Sequence, residues 1–101
     1  MTGDFDLKVW LDTMENRPAM VVPYVQSEQA QAMRYSVQVL QEGERGTTKI
    51  AQSGSVELQA DVPAALSRFS VNRQPDSDCR IEVTLTDSNK HERRYVFECP
   101  S

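Results

Sequence analysis

The chain has no apolar run near the roughly 18 residues a membrane-crossing helix needs, so it contains no spanning helix. Its opening, Met1-Thr2-Gly3-Asp4, lacks the basic start and apolar middle of a secretory signal. If the protein is exported, the sequence is expected to be its mature part, one domain over residues 1–101. With two cysteines and one histidine, it cannot supply the four paired ligands of a structural zinc site. A Gly-rich phosphate loop, a Gly-x-Ser-x-Gly elbow and a His-Glu-x-x-His helix are all missing, so no enzyme chemistry and no cofactor are expected. A formal net charge of -4 argues against a general nucleic-acid binder, which needs clustered Lys and Arg.

What is present, 39% hydrophobic and 26% charged residues, is enough apolar content for one core and too much for disorder. Apolar residues recur with period two and turn residues interrupt them at short intervals, which predicts an all-β antiparallel sandwich of about seven strands. In the first, Asp4 to Asp12, Phe5, Leu7, Val9 and Leu11 share the inner face, and Asp6, Lys8, Trp10 and Asp12 the outer. The second, Ala19 to Gln26, follows the turn Glu15-Asn16-Arg17-Pro18. Its Pro23 removes a backbone donor, which predicts an edge position or a bulge rather than a central place. The third, Ala32 to Gln41, alternates most clearly: Met33, Tyr35, Val37 and Val39 point inward, Arg34, Ser36 and Gln38 outward. Glu42-Gly43-Glu44-Arg45-Gly46 predicts a hairpin loop, because Gly supplies the positive φ of such turns.

From Thr47 to Leu58 the pattern is weakly apolar and interrupted by Ser53-Gly54-Ser55, which suggests two short strands switching sheets at a bend. After a turn at Asp61-Val62-Pro63, a strand over Leu66 to Asn72 carries Phe69 and Val71 on one face, with Leu66 out of step and marking a bulge. The last two strands, Cys79 to Asp87 and His91 to Cys99, follow the polar turn Gln74-Pro75-Asp76-Ser77-Asp78. Folding about Asn89 pairs Cys79 with Cys99, Ile81 with Phe97, Val83 with Tyr95, and Arg80 with Glu98 on the opposite face. A one-residue slip would turn apolar residues outward and part the cysteines, so pattern and cysteine positions agree. In an oxidising compartment this register makes a structural disulfide, closing a loop of roughly 20 residues and contributing about 3 kcal/mol. A redox-active pair is the sharper alternative, but such cysteines sit close together at a helix start.

His91 stands beside the last turn between Lys90 and Glu92, where a solvated loop histidine is the simplest reading. Asp4, Asp6 and Asp12 lie on an outer strand face and solvate it rather than bind calcium. The arginines offer more. Arg34, Arg68, Arg73, Arg80 and Arg94 all fall at outward or strand-end positions. Read plainly they solvate a sheet face with scattered ion pairs, each contributing at most about 1 kcal/mol. Read functionally, they present multi-donor contacts to an acidic or amide-rich partner.

The segments Gln52-Ser53-Gly54-Ser55-Val56-Glu57-Leu58, Leu66-Ser67-Arg68-Phe69-Ser70-Val71 and Asp78-Cys79-Arg80-Ile81-Glu82-Val83 resemble the CsgC/CsgH family of small periplasmic curli assembly proteins. Met33-Arg34-Tyr35-Ser36-Val37-Gln38-Val39 is similar to that family's central strand, so the likeness covers most of residues 30–88. The resemblance implies an immunoglobulin-like sandwich, a periplasmic location and a chaperone that inhibits premature amyloid formation by curli subunits, the major subunit first. Carried over by position, the Leu66, Ser67 and Arg68 segment becomes a candidate contact surface beside Arg34, Arg73 and Arg80. The chain lacks the Cys, Trp, Cys arrangement of true immunoglobulin domains, since Trp10 lies on the first strand. It also lacks the early, closely spaced cysteines of the CsgC branch, so no redox role transfers. A monomer with no nucleic-acid, membrane or metal partner is expected. An adhesive or structural sandwich domain of a surface assembly is the rival, and a long exposed apolar strand would favour it.

Overall fold

The computed structural model describes residues 7–14, 19–44, 46–71 and 77–99. Among these residues eight strands form two antiparallel sheets: β1 (Leu7–Met14), β2 (Ala19–Ser27), β3 (Gln31–Gly43), β4 (Gly46–Leu58), β5 (Ala64–Ala65), β6 (Phe69–Val71), β7 (Asp78–Thr86) and β8 (Glu92–Glu98). In the first sheet β2 is central, with β1 on one side and β5 and β6 in succession on the other. The second runs β4-β3-β7-β8. Alternation dictates the packing: Val21, Val25, Leu66, Phe69 and Val71 from the first sheet meet Met33, Val37, Val39, Ile81, Val83 and Leu85 from the second. Leu7, Val9 and Leu11 cover the flank of this core, as the pattern of β1 predicts, and Phe5 and Asp6 lie outside the described residues.

The terminal hairpin has the predicted register, with Ile81 opposite Phe97, Val83 opposite Tyr95 and Arg80 opposite Glu98. Cys79 and Cys99 are buried, bonded to each other and separated by 5.4 Å between Cα atoms. The Cys99 N–H donates to the Cys79 carbonyl at 3.2 Å, which extends the ladder to the bridge.

Pro23 corrects the expectation drawn from it, because it lies in central β2 rather than at an edge. Tyr24 pairs with Ala65 and Val21 with Phe69, so Val22 and Pro23 face three residues, Leu66, Ser67 and Arg68. That extra residue is the irregularity that Leu66 predicts; of the strand expected over Leu66 to Asn72 only β6, Phe69–Val71, forms, residues 66–68 make the break after β5, and Asn72 lies outside the described residues. The Leu66 N–H donates to the Pro23 carbonyl at 2.8 Å. A strand residue's N–H and C=O point to the same side, so the donor that proline lacks would face this break in the ladder.

The second correction concerns β4. It is one continuous strand of 13 residues paired along its length with β3, not two strands switching sheets. Gly54 explains the misleading break: a Cβ built there would lie 2.9 Å from Tyr35 Oη and 3.1 Å from its Cζ. Glycine in mid-strand makes room for the ring of its directly opposite partner, Tyr35. A 13-residue strand spans about 43 Å, so the β3–β4 hairpin accounts for most of the molecule's 47 Å long axis. Gly43 pairs with Gly46 to close its turn, and Gly46 takes φ of 121°.

Candidate interaction surface

Of the candidate contact residues, Arg34, Ser67, Arg68 and Arg80 can be placed, and Arg73 lies outside the described residues. Arg34 and Arg80 share the solvent face of the second sheet, because both alternate with buried neighbours on β3 and β7. They do not form one cluster. Arg80 stands opposite Leu40, six positions along β3 from Arg34, or about 20 Å.

The two ends of that face differ in character. Around Arg80 stand Glu42, Asp78, Glu82 and Glu98, with Leu40 and Val96 between them; Val96 is 57% exposed. Arg80 and Glu98 are opposite in register, yet among the described residues no ion pair joins them. Arg34 instead lies between Ser55 and Thr86, at the rim of a hollow also lined by Ala32, Met33, Asp87 and Lys90. Among the described residues no ion pair engages its guanidinium, so its donors stay available to a partner.

Ser67 and Arg68 lie at the irregularity between β5 and β6, the local product of Pro23 in β2. Leu66 turns into the core, Arg68 is exposed, and the Ser67 hydroxyl donates to Gln52 Oε1 on β4. Ser67 is therefore a tie between the two sheets, while Arg68 is a free surface charge among the described residues. His91 completes a turn: its N–H and that of Asn89 donate to Asp87 Oδ1, each at 2.9 Å, and its ring Nδ1 lies 3.3 Å from Asp87 Oδ2. The backbone hydrogen bond from His91 is the main reason the Asp87 carboxyl is held below its ordinary pKa of 3.8.

Two features escape the sequence pattern. On the solvent face of the first sheet Trp10 stacks on its cross-strand partner Tyr24, with centroids 5.7 Å apart and rings 10° from parallel. In the second sheet residues 46–55 of β4 are exposed on both faces, although the strand borders the sheet that carries Arg34.

The chain matches the Tafi-CsgC family model, described as thin aggregative fimbriae synthesis protein, over residues 5–92. It is 33% identical over 67 residues to the curli assembly protein CsgC of Escherichia coli K12 and of E. coli strain S88. That match covers 66% of this chain and 61% of the relatives' own length. Among solved structures, E. coli curli protein CsgC is similar with a TM-score of 0.78 and 25% identity, over 91% of this chain and 98% of that one. The solution structure of R. palustris CsgH matches in fold, with a TM-score of 0.70 at 11% identity over 91% of each chain. With the eight-strand sandwich in place and the family pattern matched from residue 5 to residue 92, this chain belongs to the Tafi-CsgC family.

Proposed function

We propose that this protein is a periplasmic, chaperone-like inhibitor in curli assembly, which holds back premature amyloid formation by curli subunits through weak, transient, charge-guided binding. The observation that carries the reading is the family match over residues 5–92. Arg34 and Arg68, exposed and without ion pairs among the described residues, supply the charge-based contact. Arg80 set among carboxylates makes a mixed-sign patch, which suits a fast, weak encounter better than a tight one. The inhibitor acts as a monomer, needs no cofactor and carries out no chemistry, and the major subunit is its first target. An adhesive role is less favoured, because the long exposed strand β4 is mostly polar. The test is a fibrillation time course of the curli major subunit with this protein added below equimolar ratio. A lengthened lag supports inhibition, and an unchanged lag moves the assignment to the adhesive sandwich.

A further inference from the structure

The β4 strand is an open sheet edge of unusual length. It has 13 residues where strands commonly have about five or six. Protein edges are normally blunted by proline, inward charge, bulges or brevity. Here β4 contains no proline, its register with β3 runs unbroken from Gly46 to Leu58, and Lys49 is its sole lysine. Among the described residues no strand pairs with its outer side.

The ladder fixes which backbone groups are free. Because the Cys79 carbonyl accepts from Cys99, the odd-numbered residues of β7 bond toward β8, and the even-numbered ones toward β3. On β3 the even-numbered residues then bond β7 and the odd-numbered ones bond β4. On β4 the even-numbered residues, Gly46 to Leu58, are consequently tied to β3. Thr47, Lys49, Ala51, Ser53, Ser55 and Glu57 aim their N–H and C=O groups out of the sheet.

Side chains on both faces specify the occupant. Thr47, Ser53 and Ser55 line one face of the strand and Thr48 and Gln52 the other, with Ile50 and Ala51 the small apolar centre. A strand added here would meet hydrogen-bonding side chains on both of its own faces. Lys49 stands on the edge itself, and Arg34 lies one strand inward from Ser55. We infer that β4 binds an extended, proline-free polypeptide segment, rich in Ser, Thr, Asn or Gln on both faces and neutral to acidic, by adding it as a further strand to the sheet. This names the contact by which the proposed chaperone would hold an amyloid subunit, and it rests on that reading for the identity of the partner. Backbone pairing provides the grip, and small polar side chains leave the register tolerant.

Residue-resolved amide exchange tests the inference with two probes: the soluble curli major subunit, and a proline-free peptide of alternating Gln and Thr with acidic ends. In the free protein the amides of Gln52 and Gly54 should be protected, while those of Lys49, Ala51 and Ser53 should exchange quickly. With nine-tenths of the protein bound to either probe, the outward amides should slow about tenfold, because exchange then proceeds from the free tenth. Ala51→Pro removes one outward N–H and no ladder bond, so it should abolish this protection while the β3 amides stay protected. Ser53→Glu with Ser55→Glu, which sets like charge against a neutral-to-acidic segment without altering the backbone, should do the same. Outward amides that keep their free rates with both probes overturn the inference. If the subunit's lag lengthens while these amides stay unchanged, the edge is refuted and the chaperone reading survives. If the amides slow with both probes but the lag does not lengthen, the edge stands and the chaperone reading falls.

Discussion

Gly54→Ala should destabilise the protein, although alanine in place of glycine within a strand ordinarily helps. The added Cβ would lie 2.9 Å from Tyr35 Oη, 3.1 Å from Cζ and 3.3 Å from Cε2, all closer than ordinary contact. Relief requires moving the ring of Tyr35, which packs against the core, and overpacking of this kind costs about 1–3 kcal/mol. Removing glycine's extra chain freedom returns about 0.5–1 kcal/mol, leaving a net loss that urea unfolding resolves. The nearest contact is the hydroxyl, so Tyr35→Phe should make Gly54→Ala less costly. A double-mutant cycle with the two changes should show a coupling of about 0.5 kcal/mol or more. If Gly54→Ala raises the urea midpoint in the parent background, or if the coupling is zero, the ring does not lie over Gly54 and the explanation of the Ser53-Gly54-Ser55 break is wrong.

Other consequences follow from the same structure. Intact mass should fall two daltons short of the fully reduced value, and Cys79→Ser with Cys99→Ser should cost about 3 kcal/mol for the loop of separation 20 that the bridge closes. An unchanged unfolding midpoint would refute a structural role for the disulfide. Ile81→Ala, at a fully buried position, should cost about 2–5 kcal/mol by thermal or urea melting, and a smaller loss would mean that this part of the core collapses around the gap. Asp87 has a folded pKa below 3.8, so its contribution to stability is complete above that value and is lost as pH falls through the folded pKa. Asp87→Ala should remove this acid-side dependence and speed exchange of the Asn89 and His91 amides, which would otherwise keep their rates.

Legibility varied with how many constraints met at one position. The β7–β8 register could be read because apolar parity and two cysteines demanded the same pairing, and both are satisfied by Cys79, Ile81 and Val83 against Cys99, Phe97 and Tyr95. By contrast β4 is exposed on both faces from residue 46 to residue 55, so burial imposed no alternation and a continuous strand resembled two fragments. Pro23 correctly signals a missing donor, but composition cannot tell an edge from an irregularity in the neighbouring strand. The bulge at Leu66 was its counterpart, 43 residues away in sequence, and only the fold brings them together. At the candidate surface, outward parity identified Arg34 and Arg80 as exposed. It could not show their separation along β3, the approach of Glu42 from β3 to Arg80, or the use of Ser67 as a tie to Gln52.

In the proposed function, exposed arginine charge guides a weak encounter that restrains amyloid formation. The most direct measurement is the fibrillation lag of the curli major subunit with parent protein and with Arg34→Glu/Arg68→Glu, at low salt and at about 0.5 M, where the Debye length shrinks from roughly 10 Å to a few ångströms. Both substitutions are at exposed positions and should leave the unfolding midpoint within about 1 kcal/mol of the parent. The parent should lengthen the lag at low salt, less so at high salt, and the folded, charge-reversed protein should lengthen it less than the parent at low salt. Equal delay by both proteins at both salt levels would contradict it.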